Sequence, residues 1–192
     1  MTLHLSRSPE PLSPDPSLWL RLGSGRLRHS YEGAGPGGEA LRGESKGFRG
    51  LVFTAGTSTR SREEFLHLLR AFGIEVVVDV RRFPTSQRFP HFVQENFRAF
   101  LEEAGIAYVH LGRELGGYRP GGYEAFMETR LFQEGILRLE ALAREKKVVV
   151  VCSERFPWRC HRRFIARALQ SRSWEVVHLI EPGRVWRPGT HV

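Results

Sequence analysis

Long apolar runs are missing from this 192-residue sequence. No stretch approaches the roughly 20 apolar positions that span a bilayer, and the N-terminus lacks the basic-then-apolar order of a secretory signal. The expectation is a cytoplasmic protein with no membrane partner. Cysteine is scarce: Cys152 and Cys160 are the only two. That excludes a disulfide scaffold and, in a reducing compartment with a full-sized core, leaves free thiols as the default. Lysine is nearly absent, three residues against 26 arginines, and the net charge is +8. Guanidinium groups make bidentate contacts with phosphate and carboxylate, so this balance points to a small anionic ligand, with nucleic acid as the alternative partner. Base composition or thermophily produces the same arginine bias, so charge alone does not decide between them.

What is present is an ordinary globular composition, 41% hydrophobic and 26% charged. Residues 1–49 stand apart: Pro9, Pro11, Pro14, Pro16 and Pro36 lie among many glycines and serines with no lasting apolar period. Such a segment cannot offset its ordering entropy and is expected to be a disordered tail. From Gly50 onward strand and helix signals alternate, which sets residues 50–192 apart as a single domain. "LVFTAG" reads as a strand, and the helix after it opens on Ser61 and Glu64 at capping-box spacing. "IEVVVDVR" is a second strand, "QENFRAFLEEAG" a helix closed by Gly105, and "IAYVHL" a third strand. A glycine-rich loop leads into a helix over 123–145, broken near Thr129. "KKVVVVC" is the fourth strand, a helix is expected over about 158–171, and "WEVVHLIE" is the fifth strand. β-branched runs buried on both faces predict a three-layer α/β fold, a mainly parallel sheet of about five strands flanked by helices.

Ligands of such folds sit beyond the carboxyl ends of the strands. The loops there bring Thr57, Ser58, Asp79, Arg81, His110, Arg113, Cys152, Arg155, Arg159 and His161 within reach of one crevice. Cys152 ends a buried strand just before a helix, where helix amides and arginines stabilise a thiolate. Cys152 is accordingly the candidate nucleophile, with Asp79 and His161 as candidate proton-handling groups. Arg81, Arg155, Arg159, Ser58 and Arg113 are candidate ligands for an anion, with Arg162 a further contributor at the helix start. Asp79 has an equally good structural role, holding an arginine in place. Cys160, placed about one turn into the helix, is read as a packing residue in preference to a resolving thiol or metal ligand. Zinc takes four ligands at recognisable spacing and "CSERFPWRCH" offers three at most. No metal and no cofactor are expected. Tyr118, Tyr123, Phe126 and Trp158 are expected to pack the glycine-rich loop, as a flexible lid, onto the sheet.

The stretches "TAGTSTRSREEFLHLL", "VVVDVRRFPTSQRFPHF", "IAYVHLGRELGG" and "VVVVCSERFPWRCHRRFIARAL" resemble, in order and spacing, the family catalogued as domain of unknown function 488. The resemblance covers about residues 50–182, and its "C-x-E" and "CHR" elements carry most of its specificity. It implies a compact α/β fold and a cytoplasmic microbial protein and brings no established activity. The family usually carries histidine where Thr57 stands, which weakens any role for a base there. In outline, Asp79, Val80, Arg81 and Cys152 are also similar to the strand ends of rhodanese-type domains. "CSERFPWR" departs from their anion-cradling loop: it lacks glycine, contains Pro157, and places Arg159 one residue later than in the related phosphatase loop. Three readings follow from these features: a cysteine-dependent enzyme acting on a small sulfur- or phosphate-containing anion; as the alternative, a nucleic-acid or nucleotide-binding module with structural cysteines; and third, a binding or regulatory protein without catalysis. Oligomeric state is left open.

Overall fold

The computed structural model describes residues 48–187. The tail expected over residues 1–49 lies outside them but for its last two positions, as do residues 188–192. The elements run β1 (Gly50–Gly56), α1 (Arg62–Ala71), β2 (Val76–Asp79), α2 (Gln94–Glu103), β3 (Ala107–His110), α3 (Gly112–Leu115), α4 (Tyr123–Met127), α5 (Arg130–Glu145), β4 (Val148–Cys152), α6 (Arg162–Gln170), β5 (Trp174–Glu181) and β6 (Arg184–Trp186). The strands form one sheet in the order β3-β2-β4-β1-β5-β6. Every pairing among the first five is parallel, and β6 runs antiparallel to β5.

Side chains of a strand alternate between sheet faces, and β4 shows the consequence. Val148, Val150 and Cys152 join the core beneath α3, α4, α5 and α6, while Val149 and Val151 join the core beneath α1 and α2. Helices therefore cover both faces, and the expected three-layer α/β architecture holds. Local signals behave as their chemistry requires. Ser61 Oγ accepts from Glu64 N, and Ser61 N donates to the Glu64 carboxylate at 2.7 Å, closing the capping box of α1. Thr129 interrupts the long helical stretch and caps α5 by accepting from Phe132 N.

Three elements differ from expectation. A sixth strand forms because Gly183, at φ +76°, turns the chain back onto β5. Its three residues carry no apolar alternation of their own. A short helix, α3, lies in the glycine-rich loop and buries Leu115. The helix expected over 158–171 begins later: Pro157–Arg159 form a 3-10 turn, Cys160 adopts φ −138° and ψ 156°, and α6 starts at Arg162. Cys160 thus sits in the extended step between turn and helix, and the expectation that it lies within the helix is corrected. Proline opens the turn, and an extended residue after it cannot propagate the α-helical ladder.

Candidate functional site

The chain leaves the neighbouring strands β2 and β4 in opposite directions: β2 leads through α2 to the sheet edge at β3, and β4 leads through α6 to β5 on the far side of β1. The two connections diverge on opposite faces of the sheet and leave a crevice at the carboxyl ends, the usual ligand position in doubly wound folds. Register places Asp79 beside Val151 and Gly56 beside Cys152. A pocket of about 470 Å³ opens there, and Cys152, Cys160, His161, Arg159, Arg163 and Tyr118 are among its lining.

Gly56 lets the segment after Cys152 fold close. A Cβ at that position would lie 2.1 Å from the Glu154 carbonyl oxygen and 2.8 Å from Arg155 Cα. The two loops are also tied by backbone bonds from Thr57 N to Cys152 O (2.8 Å) and from Ser58 N to Ser153 O (2.9 Å). Ser58 is in the left-handed region at φ 52°, a costly conformation for a residue with a side chain.

The reactive groups form a triangle. His161 Nδ1 lies 3.8 Å from Cys152 Sγ and 3.8 Å from Cys160 Sγ. Its Nε2 lies 3.2 Å from the Val80 carbonyl, which can only accept, so Nε2 carries a proton and Nδ1 faces the sulfurs. The Cys152 thiol is held below its ordinary range, first by a hydrogen bond from Cys160 and then, against burial, by His161 and the Glu154 backbone N–H. The Cys160 thiol is pushed up, because its proton is held by the Cys152 thiolate and because it is buried. The amide that serves Cys152 is therefore that of Glu154, two residues on, in place of the helix amides that the sequence suggested.

Arg162 is fully buried, and among the described residues no carboxylate pairs with it. Its Nη2 donates to the Glu154 and Arg155 carbonyls, Nη1 to Thr54 Oγ1 at 3.2 Å, and its backbone N and Nε each approach Cys160 Sγ at 3.4 Å. A buried cation needs a nearby anion, and the sulfur pair is the acidic group its contacts offer. Its burial also removes Arg162 from the candidate anion ligands. Behind it Thr54 Oγ1 bonds His178 Nδ1 at 2.6 Å, and burial followed by the Arg162 charge lowers the His178 pKa to about 3.

The remaining candidates divide between the pocket and its supports. Asp79 is fully buried and does not line the pocket. Its Oδ1 accepts from Arg81 N (3.0 Å) and Nε (2.9 Å), and its Oδ2 from Arg81 Nη2 (2.6 Å) and Tyr108 OH (2.8 Å). Arg81 adds a bond from Nη1 to the Phe92 carbonyl at 2.7 Å, so its guanidinium faces these protein groups. Burial opposes the Arg81 charge, and the Asp79 bonds outweigh it and raise its pKa. His110 Nε2 bonds the Arg81 carbonyl at 2.8 Å, holding the strand end. Arg155 pairs with Glu181, Arg113 is exposed, and neither they nor Ser58 line the pocket.

Arg159 lines the pocket from the 3-10 turn, and among the described residues its side chain makes no hydrogen bond or ion pair. Arg82, Arg119 and Arg163 also line it and were not singled out in sequence, where nothing separates them from the many other arginines. Tyr123 and Phe126 pack as expected, Tyr123 stacking on Phe164 at 5.1 Å. Tyr118 does not: it is 88% exposed, and Phe83 on the same pocket is 66% exposed.

Cys152 Sγ, Cys160 Sγ and His161 Nδ1 lie within 4.8 Å of one another and offer three donors to a soft divalent ion. These are the three donors that the sequence offered within "CSERFPWRCH". Three donors fall one short of the four that close a structural zinc site, and the hydrogen-bond pattern is that of a thiol pair with its base.

The molecule is thus a doubly wound α/β protein with a thiol-centred pocket at a topological switch point. The chain belongs to the family described as domain of unknown function DUF488, whose model matches residues 61–169. No curated protein and no solved structure matches it, and the rhodanese-like outline is not confirmed. Among the described residues no helix is long and apolar enough to cross a membrane.

Proposed function

We propose that the protein is a cysteine-dependent enzyme in which the Cys152 thiolate attacks a small anionic substrate. The observation that carries this reading is the setting of Cys152: a sulfur lining a pocket, with His161 Nδ1 at 3.8 Å and Cys160 Sγ within 4.8 Å, and a thiol held below its ordinary range first by Cys160. Thiolates, not thiols, are nucleophiles, and hydrogen bonds to the charged form are what lower a thiol pKa at a covalent catalytic site. His161 is the base and proton carrier. Arg159, with a guanidinium uncommitted within the described residues, is the first anion ligand, and Arg82 and Arg163 flank it. Asp79 acts behind the site, holding Arg81, which lines the pocket from the end of β2. Arg155, Ser58 and Arg113 would join the substrate only after a rearrangement.

Alkylation at pH 6 and pH 8 followed by peptide mapping tests the proposal. Cys152 should label at pH 6 at least about tenfold faster than Cys160, since each unit of pKa depression is worth about 1.4 kcal/mol of thiolate preference. Equal, slow labelling of both thiols until the protein unfolds would refute it.

A second reading has one observation in its favour. Phe83 and Tyr118 are exposed aromatics beside Arg82 and Arg119, the pairing of ring and guanidinium that binds single-stranded nucleic acid. Binding that falls steeply with salt would favour that module, because it reports counterion release.

A further inference from the structure

We propose that Cys160 is the resolving thiol for Cys152, and that the substrate of the pocket is a small anionic disulfide, reduced as the two cysteines close a disulfide between them. This rests on the reading of Cys152 as the nucleophile. The geometry that points to it concerns Cys160, which a nucleophile working by acyl or phosphoryl transfer has no need of. Both sulfurs line the same pocket. They lie no more than 4.8 Å apart, and the extended residue that carries Cys160 belongs to neither turn nor helix, so closure to a bond of about 2.05 Å does not require α6 to unwind. His161 Nδ1 stands at 3.8 Å from each sulfur, placed to take a proton from Cys160 as readily as to support Cys152.

Arg162 supplies the independent observation. A fully buried guanidinium directs Nε and its own backbone N–H at Cys160 Sγ, and its other contacts, Thr54 Oγ1 and two carbonyls, are neutral. Such an arrangement stabilises negative charge on Cys160 at some stage of a reaction. In the resting site Cys160 keeps its proton because the Cys152 thiolate holds it. Once Cys152 is bonded to substrate sulfur, that acceptor is gone, and Cys160 becomes the group that ionises beside Arg162.

The chemistry balances. Cys152–S⁻ attacks a substrate R–S–S–R, forming Cys152–S–S–R and releasing R–S⁻. His161 Nδ1 takes the Cys160 proton, and the Cys160 thiolate attacks Cys152 Sγ, forming Cys152–S–S–Cys160 and releasing the second R–S⁻. The two thiolates collect one proton from His161 and one from solvent. The cysteine pair loses two electrons and the substrate gains them, and an external dithiol restores the pair.

The probe is 5,5′-dithiobis(2-nitrobenzoate), a small dianionic disulfide, mixed with the reduced full-length protein. Wild type should release two equivalents of thionitrobenzoate and end with no adduct, its mass lower by two hydrogens and recovered with dithiothreitol. Cys160→Ser should release one equivalent and retain a stable adduct on Cys152. Arg162→Lys, which keeps a buried cation, should release the first equivalent at the wild-type rate and the second at least about tenfold more slowly. A wild-type protein that keeps thionitrobenzoate on Cys152 would overturn the resolving role and leave the nucleophile standing. A Cys152 that does not react at all would overturn both. The wild-type mass alone decides between these, whether or not either variant folds.

Discussion

Asp79→Asn separates an anchoring carboxylate from a catalytic one. Asp79 accepts hydrogen bonds from three Arg81 nitrogens at 2.6–3.0 Å and from Tyr108 OH at 2.8 Å, with no exposed surface. Asparagine preserves the shape, removes the charge, and turns an amide N–H toward groups that are themselves donors. The Arg81 guanidinium, only 6% exposed, is then a buried cation left with neutral acceptors, the amide oxygen and the Phe92 carbonyl. Breaking a buried ion pair from one side costs about 3–5 kcal/mol, against a total stability of about 5–15 kcal/mol for a domain. With a urea m-value of about 1–3 kcal/mol/M, the unfolding midpoint should fall by roughly 1 M or more at unchanged m. Arg81→Met should cost a similar amount for the opposite reason, a stranded carboxylate. The double variant should then lose clearly less than the sum of the two, because the two groups touch. Cys152 labelling under native conditions should stay within about threefold of wild type, a change of well under 1 kcal/mol. A variant that loses less than about 1 kcal/mol of stability, within the range of many innocuous substitutions, and yet loses Cys152 reactivity would overturn the anchoring role and make Asp79 a working base.

Two further outcomes are expected from the same geometry. Gly56→Ala places a methyl group 2.1 Å from the Glu154 carbonyl oxygen, so it should cost on the order of 1–3 kcal/mol by overpacking and slow Cys152 labelling, and an unchanged melting curve would contradict the close approach. His178, whose folded pKa is about 3 against an ordinary value near 6.5, binds its proton in the unfolded chain first. Stability should therefore be unaffected by this group above pH 6.5 and fall by up to about 1.4 kcal/mol per pH unit below it, down to about pH 3. Urea titrations at pH 7, 5.5 and 4.5 should show His178→Phe with a flatter dependence than wild type, and equal slopes would place the proton elsewhere.

Much of the fold was legible because its signals are local. The four valines before Cys152 could only be a buried strand, Ser61 and Glu64 could only reward a helix start, and Thr129 ended one helix by capping the next. "DVR" was legible as a pair for a related reason: a carboxylate at a strand end can hold an arginine two residues on. The bonds that favour an anchoring role, from Tyr108 to Asp79 and from Arg81 to the Phe92 carbonyl, join residues 29 and 11 positions apart.

Periodicity, capping and turn chemistry act over a few residues, which is why a parallel α/β sheet, a cysteine at a strand end and a family membership could be read without coordinates. The roles of Cys160 and Arg162 needed the folded chain. The step from 3-10 turn to helix moved Cys160 out of α6 and beside Cys152, and the packing of α6 on the sheet buried a guanidinium that reads in sequence as one more surface arginine. The same held for the pocket, where Arg159 and Arg163 gather with Tyr118 across loops from different strands. Which of many like charges face one another depends on strand order and register, and those are set by nonlocal pairing that no window of sequence contains.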